Sequence, residues 1–363
     1  MEEQDQTLMK QFNVNARRQL IPTGGMFELT PRCTLDCTMC YVHLTNEQMK
    51  GKQELSGDEW IRILDEAYAA GLVSLLLTGG ECLLHKDFKK IYLHAKSLPI
   101  FLSVNTNGTL INEDYVDFFQ KNPPRGIQIT LYGNSEDCYE KVTGHRMFER
   151  VKTNILRLRD AGVNVHVAIT PCKYLIDEVV DIVAFLKKEK IFYSVNPALC
   201  EANTGTGRTL EDFNISVEDE VEMHRKLHAL NGSPFYQNEP ITELPQLCED
   251  DGSVPHRMPC AAGRSTFVVS WEGKMHPCVW LSEIEPDLSQ VSFAEAWHIC
   301  NEGALTHLVP VECHTCKYRP VCFDCTIVRM DPNNPGHCNQ ETCMRTIGKI
   351  NAGIIKFENS DQD

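Results

Sequence analysis

Leu29-Thr30-Pro31-Arg32-Cys33-Thr34-Leu35-Asp36-Cys37-Thr38-Met39-Cys40-Tyr41 is the stretch on which the reading of this chain turns. It places three thiols within eight residues, directly after the strand-like run Met26–Leu29. A [4Fe–4S] cluster normally takes four cysteines, so three from one loop leave one iron with a position that a small molecule can occupy. Zinc is the other reading of the spacing. It would need a fourth ligand, for which His43 is available, and more often uses paired CxxC knuckles.

Outward from that loop, short apolar runs alternate with amphipathic stretches. Met26–Leu29, Val73–Leu77, Ile100–Asn105, Gly126–Leu131, Val163–Ile169 and Phe192–Val195 read as strands. Asp58–Ala70, Lys86–Lys96, Glu113–Gln120, Phe148–Ala161 and Ile176–Lys190 read as helices, the first opened by a capping box of Ser56 and Glu59. Gly71, Asn107-Gly108, Pro123-Pro124 and Gly162 punctuate the handovers. Six β–α units in series predict a parallel sheet with right-handed crossovers, a partial (β/α)6 barrel of the α/β class. Ligands in such folds sit beyond the carboxyl ends of the strands, where the cysteine loop falls.

The sequence divides into an N-terminal extension over 1–24, the partial barrel over 25–200, and a partly helical connector over 201–247 with a helix near Ser216–Leu230. A cysteine-, proline- and histidine-rich domain follows over 248–345, then a helix end and acidic tail over 346–363. Composition is that of a water-soluble protein, 42% hydrophobic and 23% charged, with no window near the ~20 apolar residues of a membrane span. A net charge of −15 speaks against nonspecific nucleic-acid or anionic-membrane binding. Seventeen cysteines, an odd number in a long chain whose first residues do not read as a secretory signal, point to metal binding in a reducing cytoplasm rather than to disulfides.

Thr78-Gly79-Gly80-Glu81 follows the very apolar strand Val73–Leu77. Two glycines there let the backbone approach a ligand closely, and the glutamate offers an acceptor for an ammonium group. One β–α unit after CxxxCxxC, this motif resembles the radical S-adenosylmethionine (SAM) enzymes. In that family the open iron chelates the amino and carboxylate groups of SAM, and reductive cleavage yields a 5′-deoxyadenosyl radical that abstracts a substrate hydrogen. The resemblance assigns cluster ligation to Cys33, Cys37 and Cys40, and contact with the methionine amino group to Gly79, Gly80 and Glu81. Asn105, in Asn105-Thr106-Asn107-Gly108, and Thr130, in Thr130-Leu131-Tyr132-Gly133, match further cofactor contacts, Thr130 near the ribose. Arg146 is a candidate for the SAM carboxylate; its alternative is a solvated arginine at a helix start. Cys82 stands where a proline often follows the Gly-Gly-Glu motif, and Met39 where an aromatic is frequent.

The C-terminal cysteines form a second constellation: Cys260, Cys278, Cys313, Cys316, Cys322, Cys325, Cys338 and Cys343. On ligand rules alone the region fits zinc ribbons or iron–sulfur clusters. It resembles a SPASM domain, the auxiliary-cluster extension of one radical SAM branch. That resemblance assigns Cys260, Cys278 and Cys325 to a first auxiliary [4Fe–4S] cluster, and Cys313, Cys316, Cys322 and Cys343 to a second. The x2 spacing between Cys322 and Cys325 departs from the usual x3. Cys248, Cys338 or an open iron is left for the fourth position of the first cluster. Cys172 and Cys200, just past the fifth and sixth strands, are candidate thiol hydrogen donors, with small buried hydrophobes as the alternative. Cys138 and Cys300 read as core residues, and Trp271, Trp280 and Trp297 as packing for the small domain.

SPASM relatives imply hydrogen abstraction from a carbon of a peptide, with oxidative crosslinking of a ribosomally made peptide as the leading outcome. An electron donor such as flavodoxin or ferredoxin would serve as partner. Only 32 residues precede Cys33, too few for a leader-binding domain of ~80 residues, so a separate leader-binding protein, direct binding by the barrel, or a small-molecule substrate is expected. Val279 follows Cys278 where sulfatase-activating relatives place an aspartate, which lowers that reading. A dehydrogenase or epimerase of a small polyol or sugar is the enzymatic alternative, and a non-catalytic iron–sulfur electron carrier the other.

Overall fold

The computed structural model describes residues 3–42, 44, 45, 47–196, 212–230, 260–322, 325, 327, 330, 331, 333–355 and 357. His43, Cys200, Cys248 and most of the connector lie outside them. Helix α1 (Glu3–Arg18) leads into strand β1 (Gly24–Glu28). The six expected strands all form: β1, β2 (Ser74–Thr78), β3 (Phe101–Thr106), β4 (Gly126–Thr130), β5 (Val165–Ile169) and β6 (Phe192–Val195). Between them run α2 (Gly57–Ala69), α3 (Phe88–Ser97), α4 (Glu113–Lys121), α5 (Glu136–Thr143), α6 (Phe148–Asp160) and α7 (Val179–Lys188). The capping box holds: Ser56 Oγ accepts from the Glu59 amide, and Glu59 accepts from the Ser56 amide at 2.7 Å.

Neighbouring strands from β1 to β6 pair in parallel, in chain order across the sheet. The sheet does not stop at β1. Strand β7 (Thr266–Val269), from the cysteine-rich region, pairs parallel with β1, and β8 (Met275–His276) closes antiparallel on β7. The boundary at 248 is therefore one of composition; the sheet crosses it. Helix α9 (Phe293–Thr306) seals the junction, with Phe267 packed edge-on against Phe293 at 5.1 Å and Trp297 at 6.0 Å. On the same face Phe27 meets Phe267 at 6.4 Å and Trp60 at 4.9 Å. Each such aromatic pair is worth about 0.5–1.5 kcal/mol beyond its buried area.

Helix α8 (Val217–Ala229) packs against the last helix, α10 (Gln340–Asn351). Their junction is ionic: Glu220, 2% exposed, takes Arg345 and Lys349 of α10. Strands β9 (Met330–Asp331) and β10 (Asn334–Cys338) form a separate antiparallel pair beside the Cys313 turn. Its link is Glu312, which accepts from the Cys338 amide at 2.8 Å and pairs with His337.

Candidate active site

The cysteine loop is held from both ends by backbone. The Leu29 amide donates to the Thr78 carbonyl, that of Gly80 to Thr30 (2.7 Å), and that of Glu81 to Arg32 (2.8 Å). At its far end the amides of Asp36 and Thr38 donate to the carbonyls of Thr143 and Val142 at the end of α5. A Cβ on Gly79 would stand 2.5 Å from the Thr30 carbonyl oxygen, and one on Gly80 2.5 Å from that of Arg32. Gly79 also has φ of +136°. Glycine is required here so that β2 and the cysteine loop can touch. Glu54 locks the loop from outside, accepting from Thr30 Oγ1 and from both arms of the Arg32 guanidinium at 2.7 and 2.9 Å. Burial would raise the Glu54 carboxyl, but the Arg32 and Thr30 hydrogen bonds outweigh it and hold it below the usual range.

Cys33, Cys37 and Cys40 line one cavity of about 370 Å³ together with Gly79, Gly80, Asn105 and Thr130. Seven sequence candidates therefore share one site. The thiols have donors aimed at them. Asn107 Nδ2 donates to Cys33 Sγ at 3.3 Å, with its own Oδ1 fixed by the Thr109 amide, and the Tyr132 hydroxyl donates to Cys37. Burial pushes Cys33 up to about 12 and Cys37 well above the ordinary thiol range, and the neighbouring thiols add to the effect. A bound cation reverses that balance, because metal-ligating thiols are held as thiolates. The Tyr139 hydroxyl, electrostatically coupled to Cys37, is buried without a hydrogen-bond partner among the described residues. Three neighbouring thiols, Cys37 buried and Cys33 and Cys40 half-buried, with donors directed at two of them and an orphaned hydroxyl beside them, fit an iron–sulfur cluster.

Glu81 departs from the expectation. Its carboxylate is fully buried and already bonded: Thr106 Oγ1 and the Asn107 amide donate at 2.8 Å and the Leu83 amide at 3.1 Å. Burial raises its pKa while these donors pull the other way. It pins β3 to the end of β2, and this turn lines the cavity with Thr78 and the backbone of Gly79 and Gly80. Arg146 stands away from the cavity, paired with Asp137 at 2.6 Å and Glu140 at 3.0 Å on the surface of α5. Cys172 is fully buried in the apolar core and lines no part of this cavity. Cys138 and Cys300 are core residues, as expected.

Trp280 and Val279 line the same cavity, although Trp280 was expected only to pack the small domain. Asn105 and Val279 also line a second cavity of about 630 Å³ in the barrel lumen, bordered by Gln128, His166 and Cys278. A third, of about 450 Å³, adjoins both at Val279. Its wall includes Glu28, the last residue of β1, which burial pushes up to about 7. Sequence reasoning passed over Glu28, Glu54, Asn107 and Tyr132. Only the polar run Asn105–Asn107 and the tyrosine after β4 carried a readable signal.

Among the C-terminal cysteines, the thiols of Cys260 and Cys278 lie close enough to that of Cys325 to perturb one another. Cys313, Cys316, Cys322, Cys338 and Cys343 form a second set on the same criterion. Cys338 thus falls with the second group, not the first. Among the described residues no three histidine, cysteine or acidic side chains converge as tightly as a single metal ion needs. No helix among them is long and apolar enough to cross a membrane.

A parallel α/β barrel with three thiols at its mouth and a Gly-Gly-Glu turn beside them defines the class. The chain carries a radical SAM domain: residues 27–186 match the Radical SAM superfamily, which implies SAM and a [4Fe–4S] cluster. The sporulation killing factor maturation protein SkfB of Bacillus subtilis is 30% identical over 167 residues, 45% of this chain and 39% of SkfB. The AdoMet-dependent heme synthase of Methanosarcina barkeri is 24% identical over 325 residues, 82% of this chain and 89% of that protein. In fold, the chain is similar to Streptococcus suis SuiB, solved with its precursor peptide SuiA, at a TM-score of 0.69 and 16% identity, covering 94% of this chain and 82% of SuiB.

Proposed function

We propose that this protein is a radical SAM enzyme that abstracts hydrogen from a carbon of a peptide, with crosslinking or a related modification of a ribosomally made peptide as the outcome. The observation that carries the reading is the shared cavity. Three thiols and the Gly79–Gly80 backbone face one space, and Asn105 and Val279 connect that space to the lumen. Cys33, Cys37 and Cys40 would hold a [4Fe–4S] cluster, which with SAM would supply a 5′-deoxyadenosyl radical. The chain's own groups do the rest. Gly79 and Gly80 offer backbone to the methionine end, Thr130 and Asn105 polar contacts, and Tyr132 and Asn107 donors that tune the thiolates. The similarity to SkfB and to SuiB with SuiA supports a peptide as substrate.

The C-terminal thiols would hold one or two auxiliary clusters, with Cys260, Cys278 and Cys325 in the first and Cys313, Cys316, Cys322 and Cys343 in the second, Cys338 lying nearer the second. An electron donor such as flavodoxin or ferredoxin, a separate leader-binding protein and a reducing cytoplasm complete the proposal. Cys200 stays a candidate hydrogen donor; the burial of Cys172 supports the structural role for that thiol. A second reading, a heme-type small-molecule substrate, is favoured by the match to the heme synthase along most of both chains. The test is anaerobic reconstitution, reduction and addition of SAM, with 5′-deoxyadenosine measured with and without the SkfB or SuiA precursor peptide. Stimulated 5′-deoxyadenosine and a peptide lighter by two hydrogens are expected; its absence with intact clusters overturns the radical reading.

A further inference from the structure

Glu28 sits at the end of β1, in register with Thr78 of β2, which lines the cysteine cavity. Residues in register point to the same side of a sheet, so the Glu28 side chain lies on the lumen face, opposite to Phe27 and Leu29. It is 9% exposed and makes no hydrogen bond or ion pair among the described residues. Its oxygens are not among the sealed unpaired atoms and so reach the cavity, where a carboxylate this secluded is costly to keep ionised without a partner. No structural role accounts for it: the core contacts of β1 are made by Phe27 and Leu29 on the other face.

The rest of the cavity wall sharpens the point. Lys274 is matched by Glu285 at 2.9 Å, and Lys52 by Glu272 at 3.6 Å. His276 engages the Ile284 carbonyl at 3.0 Å, and burial lowers its pKa, so it brings no charge. Among the described residues, Glu28 is thus the acid on the wall of this 450 Å³ space that has no basic partner. That space shares Tyr41, Val42 and Val279 with the cysteine cavity.

We infer that the Glu28 cavity is a subsite for a cationic group of the substrate, an ammonium or guanidinium side chain, held by the Glu28 carboxylate beside the cysteine cavity. The inference rests on the proposed function in taking the barrel mouth as the substrate's place. A cation anchored here leaves the adjoining carbons of the same molecule toward Tyr41 and Val279, the walls common to both cavities. A substrate whose end is itself a carboxylate is repelled.

The experiment uses the reconstituted full-length enzyme with SAM and two probes, N-acetyl-lysine N-methylamide and its uncharged analogue N-acetyl-norleucine N-methylamide, with affinities read by calorimetry or ligand-observed NMR. The lysine probe is expected to bind about tenfold or more tightly, as a buried charge-assisted hydrogen bond allows. Glu28→Gln should erase that preference while leaving norleucine binding unchanged. Equal affinities for the two probes on the wild-type enzyme overturn the inference whatever the variant does. So does a lysine preference that survives Glu28→Gln, which would assign it to Glu272 or Glu285. Formation of 5′-deoxyadenosine in the same samples reports separately on the radical reading, so the two can fail independently.

Discussion

The two cysteine-bearing regions of this molecule are built on opposite plans. The loop of Cys33, Cys37 and Cys40 is held by backbone hydrogen bonds to β2 and α5, locked by Glu54, and supplied with donors to its sulfurs from Asn107 and Tyr132. The C-terminal cysteines from Cys313 to Cys338 lie on short turns and a small strand pair held largely by Glu312, with Cys343 in the first turn of α10. Burial does not separate the two regions, since Cys33 and Cys40 are half-buried like most of the C-terminal thiols; the frame does. Under the proposed ligand assignment the contrast teaches where the organising energy would reside: in the protein for the first region, in the bound metal for the second. A site that must position a small molecule needs a rigid frame, whereas groups closed by their own ligands can be shaped by what they bind.

The sharpest way to break that contrast is to add one carbon to the frame. Gly80→Ala drives a Cβ into the carbonyls of Arg32 and Pro31, neither of which can yield without moving the cysteine loop. The expected result is a fall of about 100-fold or more in 5′-deoxyadenosine formation, the scale that misplacement by an ångström produces. Iron at the proposed C-terminal clusters should stay, so total iron falls only in part. Equal loss from both regions would mean that they are not independent.

Metal removal tests the other side. Treating the reconstituted enzyme with a chelator under reducing conditions, followed by brief proteolysis, should give cleavage C-terminal to Val309 while the barrel persists. Cuts that begin within the β1–β6 segment would reverse the assignment of where the energy lies.

Glu220 limits how independent the C-terminal helix can be. Burial alone would raise its carboxyl, but the His224 contact and the charges of Lys349 and Arg345 bring it down to about 2. An unfolded glutamate titrates near 4.5, so this stabilisation is fully present above that pH and is lost as pH falls from 4.5 toward 2. Glu220→Gln leaves Lys349 against a buried amide and Arg345 with Glu341 and the Ile215 carbonyl, and a loss of about 3 kcal/mol at pH 7 is expected from denaturant titration, shrinking below pH 4. No change at pH 7 would show that α10 is held by other means.

Glu28 behaves with the opposite sign. Its carboxyl is raised to about 7 in the folded protein, so the cost of keeping it ionised grows as pH rises from 4.5 through 7. Glu28→Gln should therefore stabilise the protein above pH 7 by on the order of 1–3 kcal/mol, and make no difference below pH 4. A destabilised variant at pH 8 would show that the carboxylate supports the fold.

Much of this was legible in the sequence, and the remainder was hidden for physical reasons. The six strands follow from apolar runs bounded by turns, and the triad and Gly79–Gly80 from spacing. Strand β7 was not legible, because Thr266–Val269 is short and its partner is the β1 edge, which no local pattern names. Helix α5 did carry a signal in Ser135, the acids Glu136 and Asp137, and Gly144 at φ 73°, but it is brief. The resemblance assigned Glu81 a contact with SAM but could not say which way its carboxylate turns. That is decided by the Thr106 hydroxyl and Asn107 amide, on a neighbouring strand.

Arg146 separates spacing from geometry most cleanly. The motif resemblance made it a candidate for the SAM carboxylate, whereas the fold gives its guanidinium to Asp137 first and Glu140 second, on the outer face of α5. Solvent screens such pairs, so little should depend on them. Arg146→Ala is expected to leave both SAM affinity and 5′-deoxyadenosine formation within twofold of wild type. Thr130→Ala, on the cavity wall, should by contrast weaken SAM binding about tenfold, the loss of one hydrogen bond in a buried site. If Arg146→Ala instead weakened SAM binding as much as Thr130→Ala, the end of α5 would have to move inward when SAM binds. The cysteine loop, whose Asp36 and Thr38 amides rest on that helix, would then be less rigid than its hydrogen bonds imply.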